Sequence, residues 1–140
     1  MKSKTKVLAY ILRTNNDLSE VLVFDHRDNP SAGTQIIGGT VDPGEELIGA
    51  LLREIREESG LVLGPSDIAK KLGETHYQRR DIPEINHRHY YLIYSKNLPD
   101  TWAHTVHSEG LDNGMVFDFF WLSIDQARKD LTGNFGELLP

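Results

Sequence analysis

Apolar runs separated by short polar segments predict strands in the first third of the chain. Two runs rich in β-branched and other apolar residues, at 6–13 and 20–25, flank a polar cluster of turn-forming residues at 14–17. This arrangement predicts a β-hairpin. A shorter apolar run predicts a third strand at 34–37, which we expect a glycine pair to end.

The segment after this strand has the period of an amphipathic helix. We expect the helix to begin near Asp42, because Asp is a good N-cap, a Pro-Gly pair follows it, and Glu45 lies three residues beyond. Gly60 is typical of a helix end. The apolar positions that recur at helical spacing between these limits are Leu47, Ile48, Leu51, Leu52 and Ile55.

The second half of the chain is again mostly β-rich. Runs at 71–79 and 87–96, on either side of a polar turn, predict another hairpin. Residues 97–114 are polar and without a period, which predicts a functional or mobile loop. A buried strand is expected at 115–122.

A second, shorter helix is expected to follow the last strand. Ser123 and Gln126 have the spacing of a capping box, which predicts a helix that ends at Leu131. Residues 132–140 lack a periodic pattern, and we expect them to be a loosely held tail. Strands joined by hairpins and interrupted by two helices favour a mixed sheet with flanking helices, of the α+β or mixed α/β class.

Composition limits the classes of protein that the chain can form. A length of 140 residues fits a single domain, 1–140. The net charge of −6 disfavours stable binding to nucleic acid or an anionic membrane, and the absence of cysteine excludes disulfides, thiolate nucleophiles and cysteine-bound zinc. The basic and apolar start at 1–12 is too short for a signal peptide, and no apolar run reaches about 20 residues, so we expect a cytoplasmic protein.

Three glutamates of the predicted long helix fall on one side of it. At about 100° per residue, Glu54, Glu57 and Glu58 share an arc at the border of the apolar face. Crowded carboxylates repel one another unless a cation neutralises them, and oxygen ligands suit Mg²⁺ or Mn²⁺. Because magnesium usually shares its ligands with substrate phosphates, the pattern indicates a phosphate-bearing ligand. The alternative is a solvated acidic helix face that binds no metal.

The residues around these glutamates resemble the Nudix box, a motif written Gx5Ex7REUxEExGU in which U is aliphatic. Residues 39–61 read GTVDPGEELIGALLREIREESGL and match the motif at every defined position. The defined positions are Gly39, Glu45, Arg53, Glu54, Ile55, Glu57, Glu58, Gly60 and Leu61. On these residues the chain is similar to the MutT-like Nudix hydrolases.

This resemblance implies both a fold and an activity. The implied fold is an α/β/α sandwich with a mixed β-sheet. The implied activity is Mg²⁺-dependent hydrolysis of a nucleoside diphosphate linked to another moiety, X, with Mn²⁺ as a substitute ion. The implied products are a nucleotide and a phosphorylated X, so the expected partner is a small-molecule nucleoside diphosphate derivative.

The resemblance also implies roles for individual box residues. The implied metal ligands are Gly39, through its carbonyl, Glu54, Glu57 and Glu58. Glu54 is implied either to bind metal or to act as the base for the attacking water. Arg53 and Glu45 are implied to pair and orient the helix, which groups Arg53 with the catalytic residues and Glu45, like Gly60, with the structural ones.

Positions outside the box give weaker indications of substrate. Tyr77 lies roughly where Nudix enzymes that act on dinucleoside polyphosphates often have a tyrosine, although a core or edge-strand tyrosine explains it as well. Arg79 and Arg88 belong to a cationic hairpin at 77–90 that is expected either to bind phosphate or to be a solvated edge. Trp102 is a candidate for stacking on a base.

Two expectations concern further metal ligands. Glu109 is the first candidate for an additional metal-binding carboxylate outside the box, and an ordinary exposed loop glutamate is the alternative. Among the six histidines no helical HxxxH or similar pair stands out as a metal site, so we expect no histidine metal site.

Other functional classes stay open on the sequence alone. A nucleotide-sensing module on the same fold is one alternative, although such proteins would often lack box glutamates. A structural protein with an acidic surface is another, and it would show no magnesium-linked stabilisation. The chain is expected to be a monomer or a homodimer.

Overall fold

The structure is a computed structural model that describes residues 1–140. Two helices, two short 3-10 turns and seven strands account for most of the chain. In chain order, the strands and helices are β1 (Lys2–Asn15), β2 (Leu18–His26), β3 (Ile37–Thr40), α1 (Leu47–Ser59), β4 (Ile68–Gln78), β5 (Glu84–Tyr94), β6 (Trp102–Thr105), β7 (Val116–Ser123) and α2 (Ile124–Asp130). The 3-10 turns are Pro30–Ala32 and Pro65–Asp67.

A single mixed sheet contains all seven strands. Its order is β4-β5-β1-β2-β7-β6, and β3 also pairs with β1. Strand β1 runs parallel to β5, and its other edge is shared, since β3 pairs antiparallel with 6–9 and β2 with 12–15. The length of β1 therefore lets it serve as the centre of the sheet for three partners.

Side-chain alternation along β1 divides the interior into two cores. Odd positions from 7 to 11 pack with Leu51 and Ile55 of α1, whereas even positions from 8 to 12 pack with Ala127 of α2. A strand buried on both faces needs an apolar residue at nearly every position, which explains the continuous run in the sequence. The prediction of a mixed sheet between helices, the α/β/α sandwich, is confirmed.

Helix α1 ends where the sequence predicts but begins later. Gly60 has a φ of 82°, the left-handed conformation that ends helices. The expected start at Asp42 is wrong, because the helix begins at Leu47 with Glu46 as its N-cap residue. Residues 42–45 instead form a turn in which the Asp42 N–H donates to Glu45 Oε1 at 3.0 Å.

Two strands differ from the prediction for a physical reason. The strand expected at 34–37 lies at Ile37–Thr40, so the glycine pair is inside the strand and does not end it. Residues 97–114 are not wholly irregular, because Trp102–Thr105 pairs with β7 as an edge strand. Glycine and short polar edges are poor strand signals in a sequence, since their pairing depends on neighbours distant along the chain.

The predicted hairpin of β4 and β5 and the predicted cap of α2 are both present. Strands β4 and β5 pair antiparallel, with irregularities between 68 and 73. The Gln126 N–H donates to Ser123 Oγ at 3.1 Å, as expected of an N-cap serine. Neither helix is long and apolar enough to cross a membrane.

The prediction of a loosely held tail at 132–140 is wrong. Leu139 is buried against the α2 core, and the Tyr10 hydroxyl donates to the Phe135 carbonyl at 2.5 Å. Glu137 accepts hydrogen bonds from the buried Tyr90 and Arg88 at 2.5 and 3.0 Å. These contacts bind the segment to the sheet although it contains no regular helix or strand.

Candidate metal and active site

The glycine pair of β3 lies directly beneath the acidic face of α1. The Gly38 N–H donates to Glu58 Oε1 at 2.9 Å. A Cβ atom on Gly39 would overlap the carboxylate of Glu54, and a Cβ on Gly38 would overlap the Leu8 side chain and the Val7 carbonyl. Glycine at 39 therefore allows the strand to approach the Glu54 carboxylate more closely than any other residue would, whereas glycine at 38 is required by the packing against β1.

Burial and crowding shift the ionisation of these carboxylates. Glu54 and Glu58 are 8% and 6% exposed. Burial raises the pKa of Glu54 to about 7, although the neighbouring Arg53 opposes this change. Burial, followed by the charge of Glu54, raises the pKa of Glu58 well above its usual range. The cationic groups of the chain therefore do not fully neutralise Glu54 and Glu58 when these two carboxylates are ionised.

Arg53 is the main cation beside the cluster, and protein acceptors already surround its guanidinium. It donates to both oxygens of Glu45 at 2.8 and 2.9 Å and to the Thr40 carbonyl at 3.0 Å. It also donates to Glu54 at 3.0 Å and Glu57 at 3.1 Å. The hydrogen bonds from Arg53 lower the pKa of Glu45 to about 2. The Arg53 guanidinium therefore links strand β3, the turn at 42–45 and helix α1 through hydrogen bonds.

The C-terminal carbonyl groups of α1 are bonded by β6 and the segment after it. Trp102 Nε1 donates to the Ser59 carbonyl at 3.1 Å. The Glu57 carbonyl lies 3.2 Å from His104 Nε2 and accepts from the His107 N–H at 3.4 Å. The Trp102 ring stacks on Phe119 at 4.9 Å. The structure thus places Trp102 at the C-terminal end of α1, packed on β7.

A cleft of about 1030 Å³ opens at the acidic face of α1. The predicted site residues that line it are Gly39, Arg53, Glu54, Glu57 and Glu109. Glu58 lies behind this wall, buried against Gly38. Other charged residues of the lining, which the sequence did not single out as ligands, are Lys4, Asp42 and Asp112.

Asp112 is a stronger candidate than Glu109 for the additional carboxylate. Its negative charge contributes to the raised pKa of both Glu54 and Glu58. The Ser108 hydroxyl donates to Asp112 Oδ1 at 2.5 Å, which fixes the side chain within the loop. Both acids lie in one polar stretch of sequence, so only the path of the loop distinguishes between them.

The predicted substrate-binding residues of the β4–β5 hairpin lie outside this cleft. Arg88 is 3% exposed, and its guanidinium lies 3.9 Å from the centre of the Tyr77 ring. It forms an ion pair with Glu137 at 3.0 Å. Arg79 forms ion pairs with Asp81 and, at 3.5 Å, with Glu84. Protein carboxylates therefore compensate the charges of Arg79 and Arg88. The structure does not bring Tyr77, Arg79 or Arg88 to the acidic face of α1.

The donor set of the cleft fits a hard divalent cation. It presents carboxylate oxygens and the backbone of Gly39, with no thiolate, and the buried carboxylates lack enough positive charge from the chain. Magnesium and manganese prefer such oxygen ligands.

Fold and site together define a class: a small α+β domain in which a loop, a helix and a loop present glutamates to an open cleft, as in Nudix pyrophosphohydrolases. The family model of the NUDIX domain matches residues 3–140. The chain therefore belongs to the Nudix family, whose enzymes hydrolyse phosphorus-containing acid anhydrides.

Solved structures share the fold at low sequence identity. A MutT protein from Methanosarcina mazei Go1 has a TM-score of 0.71 and 18% identity, covering 99% of this chain and 91% of that one. A MutT NUDIX hydrolase from Burkholderia pseudomallei has a TM-score of 0.69 and 19% identity over 100% of both chains. The NUDIX domain of Shewanella oneidensis NrtR, complexed with ADP ribose, has a TM-score of 0.66 and 17% identity, covering 99% and 85%. Comparison with curated protein sequences gives no significant match.

Proposed function

We propose that the protein hydrolyses the phosphoanhydride bond of a nucleoside diphosphate linked to X, in a reaction that requires Mg²⁺ or Mn²⁺. The observation that supports this proposal best is the pair of buried carboxylates, Glu54 and Glu58, held on a glycine strand at the edge of an open cleft. Buried like charges need a cation, and an open cleft admits a ligand that shares it. Nucleotide sugars, ADP-ribose-like compounds, nucleoside triphosphates and dinucleoside polyphosphates all contain the required bond.

The proposed metal ligands are carboxylates of α1 and backbone of β3. Glu57 and Glu58 would hold the ion, with Glu54 and the Gly39 carbonyl beside them and Asp112 from the opposite loop. When bound, the ion would offset negative charge that develops on the phosphate oxygens. Arg53 acts as a positioning residue, because its bonds to Glu54 and Glu57 fix the carboxylates before substrate arrives.

Glu54 is our candidate for the base that takes a proton from the attacking water. It lines the cleft, whereas Glu58 lies deeper, so Glu54 is the better placed of the two to meet a water molecule bound there. A carboxylate in reach of the water and of matched basicity can assist by about 10²- to 10⁴-fold.

The test is product release from a panel of the four substrate classes, with Mg²⁺ or Mn²⁺, for wild type and Glu57→Gln. We expect one preferred substrate and a decrease in kcat of about 100-fold or more in the variant. Glu46→Gln is the matched control, because Glu46 is an exposed glutamate at the start of the same helix whose side chain makes no capping bond. Equal activity of wild type and Glu57→Gln would contradict the proposal.

A nucleotide-binding module without turnover is the second candidate function. It is favoured by the fold shared with the S. oneidensis domain that was solved with ADP ribose. In that case ADP ribose with Mg²⁺ would raise the melting temperature while no member of the panel is hydrolysed.

A further inference from the structure

The β4–β5 hairpin places a carboxylate and two imidazoles side by side. Cross-strand register sets Glu74 opposite His89 and His76 opposite His87. Glu74 Oε1 lies 2.7 Å from His87 Nε2 and 3.8 Å from His89 Nδ1. One ligand atom from each of Glu74, His87 and His89 lies within 4.8 Å of the others. None of the three lines the cleft at α1.

We propose that Glu74, His87 and His89 form a second metal site, for a transition dication of the zinc class. Two imidazole nitrogens and one carboxylate oxygen are a donor set that zinc uses in three-ligand sites with an open fourth position. The expectation of no histidine metal site rests on helical spacing and is blind to ligands on neighbouring strands. Here the two histidines lie at i and i+2 of one strand, and the third ligand comes from its neighbour.

A cation already lies among these atoms. The Lys71 ammonium is 2.9 Å from Glu74 Oε2 and 2.8 Å from His89 Nδ1. An ammonium group can only donate, so Nδ1 must accept and therefore presents a lone pair toward the centre of the cluster. Burial lowers the pKa of the His89 imidazole, which favours the same neutral form. Lys71 is 35% exposed and can withdraw into solvent when a metal ion replaces it.

The surroundings hold the ligands in place. His76 stacks on His87 with ring centres 4.5 Å apart and planes 12° apart. His89 is buried in the strand next to β1, whereas Glu74 is 46% exposed, which leaves the site open to solvent on one side. A bound ion would tie the edge strand β4 to β5.

Donor chemistry separates this site from the one at α1. Imidazole nitrogens favour zinc and other late divalent ions, whereas carboxylate and carbonyl oxygens favour Mg²⁺ and Mn²⁺. Excess Mg²⁺ would compete with Zn²⁺ for the oxygen cleft, so Zn²⁺ binding that persists in excess Mg²⁺ and is lost in His87→Ala reports the histidine site.

The experiment is calorimetric titration of tag-free protein with Zn²⁺ in excess Mg²⁺. We expect one Zn²⁺ per chain for wild type, and binding weakened in His87→Ala and Glu74→Gln by more than the roughly 10- to 100-fold that loss of a group hydrogen-bonded to a ligand costs. His87 and Glu74 are partly exposed, so both variants should fold, which circular dichroism checks. Wild-type zinc binding no stronger than that of His87→Ala would overturn the proposal.

Two further variants test the geometry. His76→Ala is the matched histidine control and should weaken zinc binding less than His87→Ala, because His76 stacks on a ligand but is outside the ligand set. Lys71→Met removes the competing ammonium and should strengthen zinc binding. If His76→Ala weakens binding as much as His87→Ala, or if Lys71→Met leaves binding unchanged, the proposed ligand set is wrong.

Discussion

Glu54 and Glu58 are ionisable groups in positions that ordinarily suit apolar side chains. Each is almost fully buried, and the charge of Glu54 adds to the cost of ionising Glu58. A folded protein tolerates such a pair when a ligand supplies the missing charge. The two residues thus make the stability of the metal-free protein depend on pH.

Glu58→Gln should stabilise the metal-free protein at neutral and alkaline pH. The folded-state pKa of Glu58 is raised above 4.5, so the contribution of this group to stability is fully present below about pH 4.5 and is lost as pH rises toward the folded-state value. Glutamine keeps an oxygen to accept the 2.9 Å bond from Gly38 and carries no charge. The measurement is the melting temperature in EDTA, wild type against variant, from pH 4.5 to 8.

The advantage of Glu58→Gln should grow with pH in EDTA and reverse when saturating Mg²⁺ is added, because only wild type retains the full ligand set. Comparing the two proteins at each pH cancels the contributions of Glu45 and Glu74, whose lowered pKa values act in the opposite direction. A difference in melting temperature that is constant across this pH range would contradict the assignment.

The box residues could be predicted from the sequence because their spacing is fixed by one helix and the turn before it. Asp112 could not, since its approach to the glutamates depends on a loop that returns from β6. Arg88 was a candidate phosphate ligand only because a sequence does not show that Glu137 neutralises it. Ion pairs between residues that are distant along the chain can be identified only from the tertiary structure.

Strand β3 is short, and its function depends on having no side chains at Gly38 and Gly39. Glycine weakens strands, so its presence in the middle of one usually marks a close approach by another group. At Gly39 that group is the Glu54 carboxylate of α1, and at Gly38 it is the Leu8 side chain and the Val7 carbonyl of β1. The same property made the strand hard to place from sequence, because a glycine pair ordinarily indicates a turn.

Gly39→Ala should lower kcat while the protein still folds. The new Cβ would occupy the position of the Glu54 carboxylate and displace it from its bonds with Arg53. A shift of about 1 Å in a catalytic group can cost roughly 100-fold in rate. Gly49→Ala is the control, because a Cβ there meets nothing within 4 Å and alanine favours a helix interior by about 1 kcal/mol. Unchanged kcat in Gly39→Ala would show that the close approach is unimportant.

The segment 132–140 packs on the α2 side of the sheet, where one polar network binds it. Arg88 lies between the rings of Tyr77 and Phe135, 3.9 and 4.4 Å from their centres, and Glu137 neutralises it. A buried guanidinium without a partner is strongly destabilising. The network explains why a segment without a periodic pattern is nevertheless well packed.

Glu137→Ala should reduce the free energy of unfolding by roughly 3 kcal/mol, because it leaves Arg88 buried and unpaired. Asp125→Ala removes one partner of the exposed ion pair with Arg128 and should cost no more than about 1 kcal/mol. Urea denaturation of both variants and wild type measures the two differences. Equal losses would mean that Glu137 contributes only a surface ion pair.

Fold class was within reach of the sequence because the family motif specifies a known arrangement of strands around α1. The packing of the last nine residues could not be predicted from the sequence, since it depends on the parallel pairing of β5 with β1. Local patterns do not encode pairing between strands that are distant along the chain.

That parallel pairing determines when a growing or refolding chain can acquire its site. Residue 2 pairs with residue 84 and residue 12 with residue 94, while the hairpin of β1 and β2 needs only neighbouring residues. The cleft is lined by Lys4 at one end of the chain and by Asp112 far along it. Contacts of such long range slow folding to milliseconds or seconds, on the order seen for topologies rich in non-local pairs. A nascent chain released before β7 is complete would therefore carry the glutamates of α1 without the closed sheet that positions them, and each new molecule should become active only after its sheet has formed.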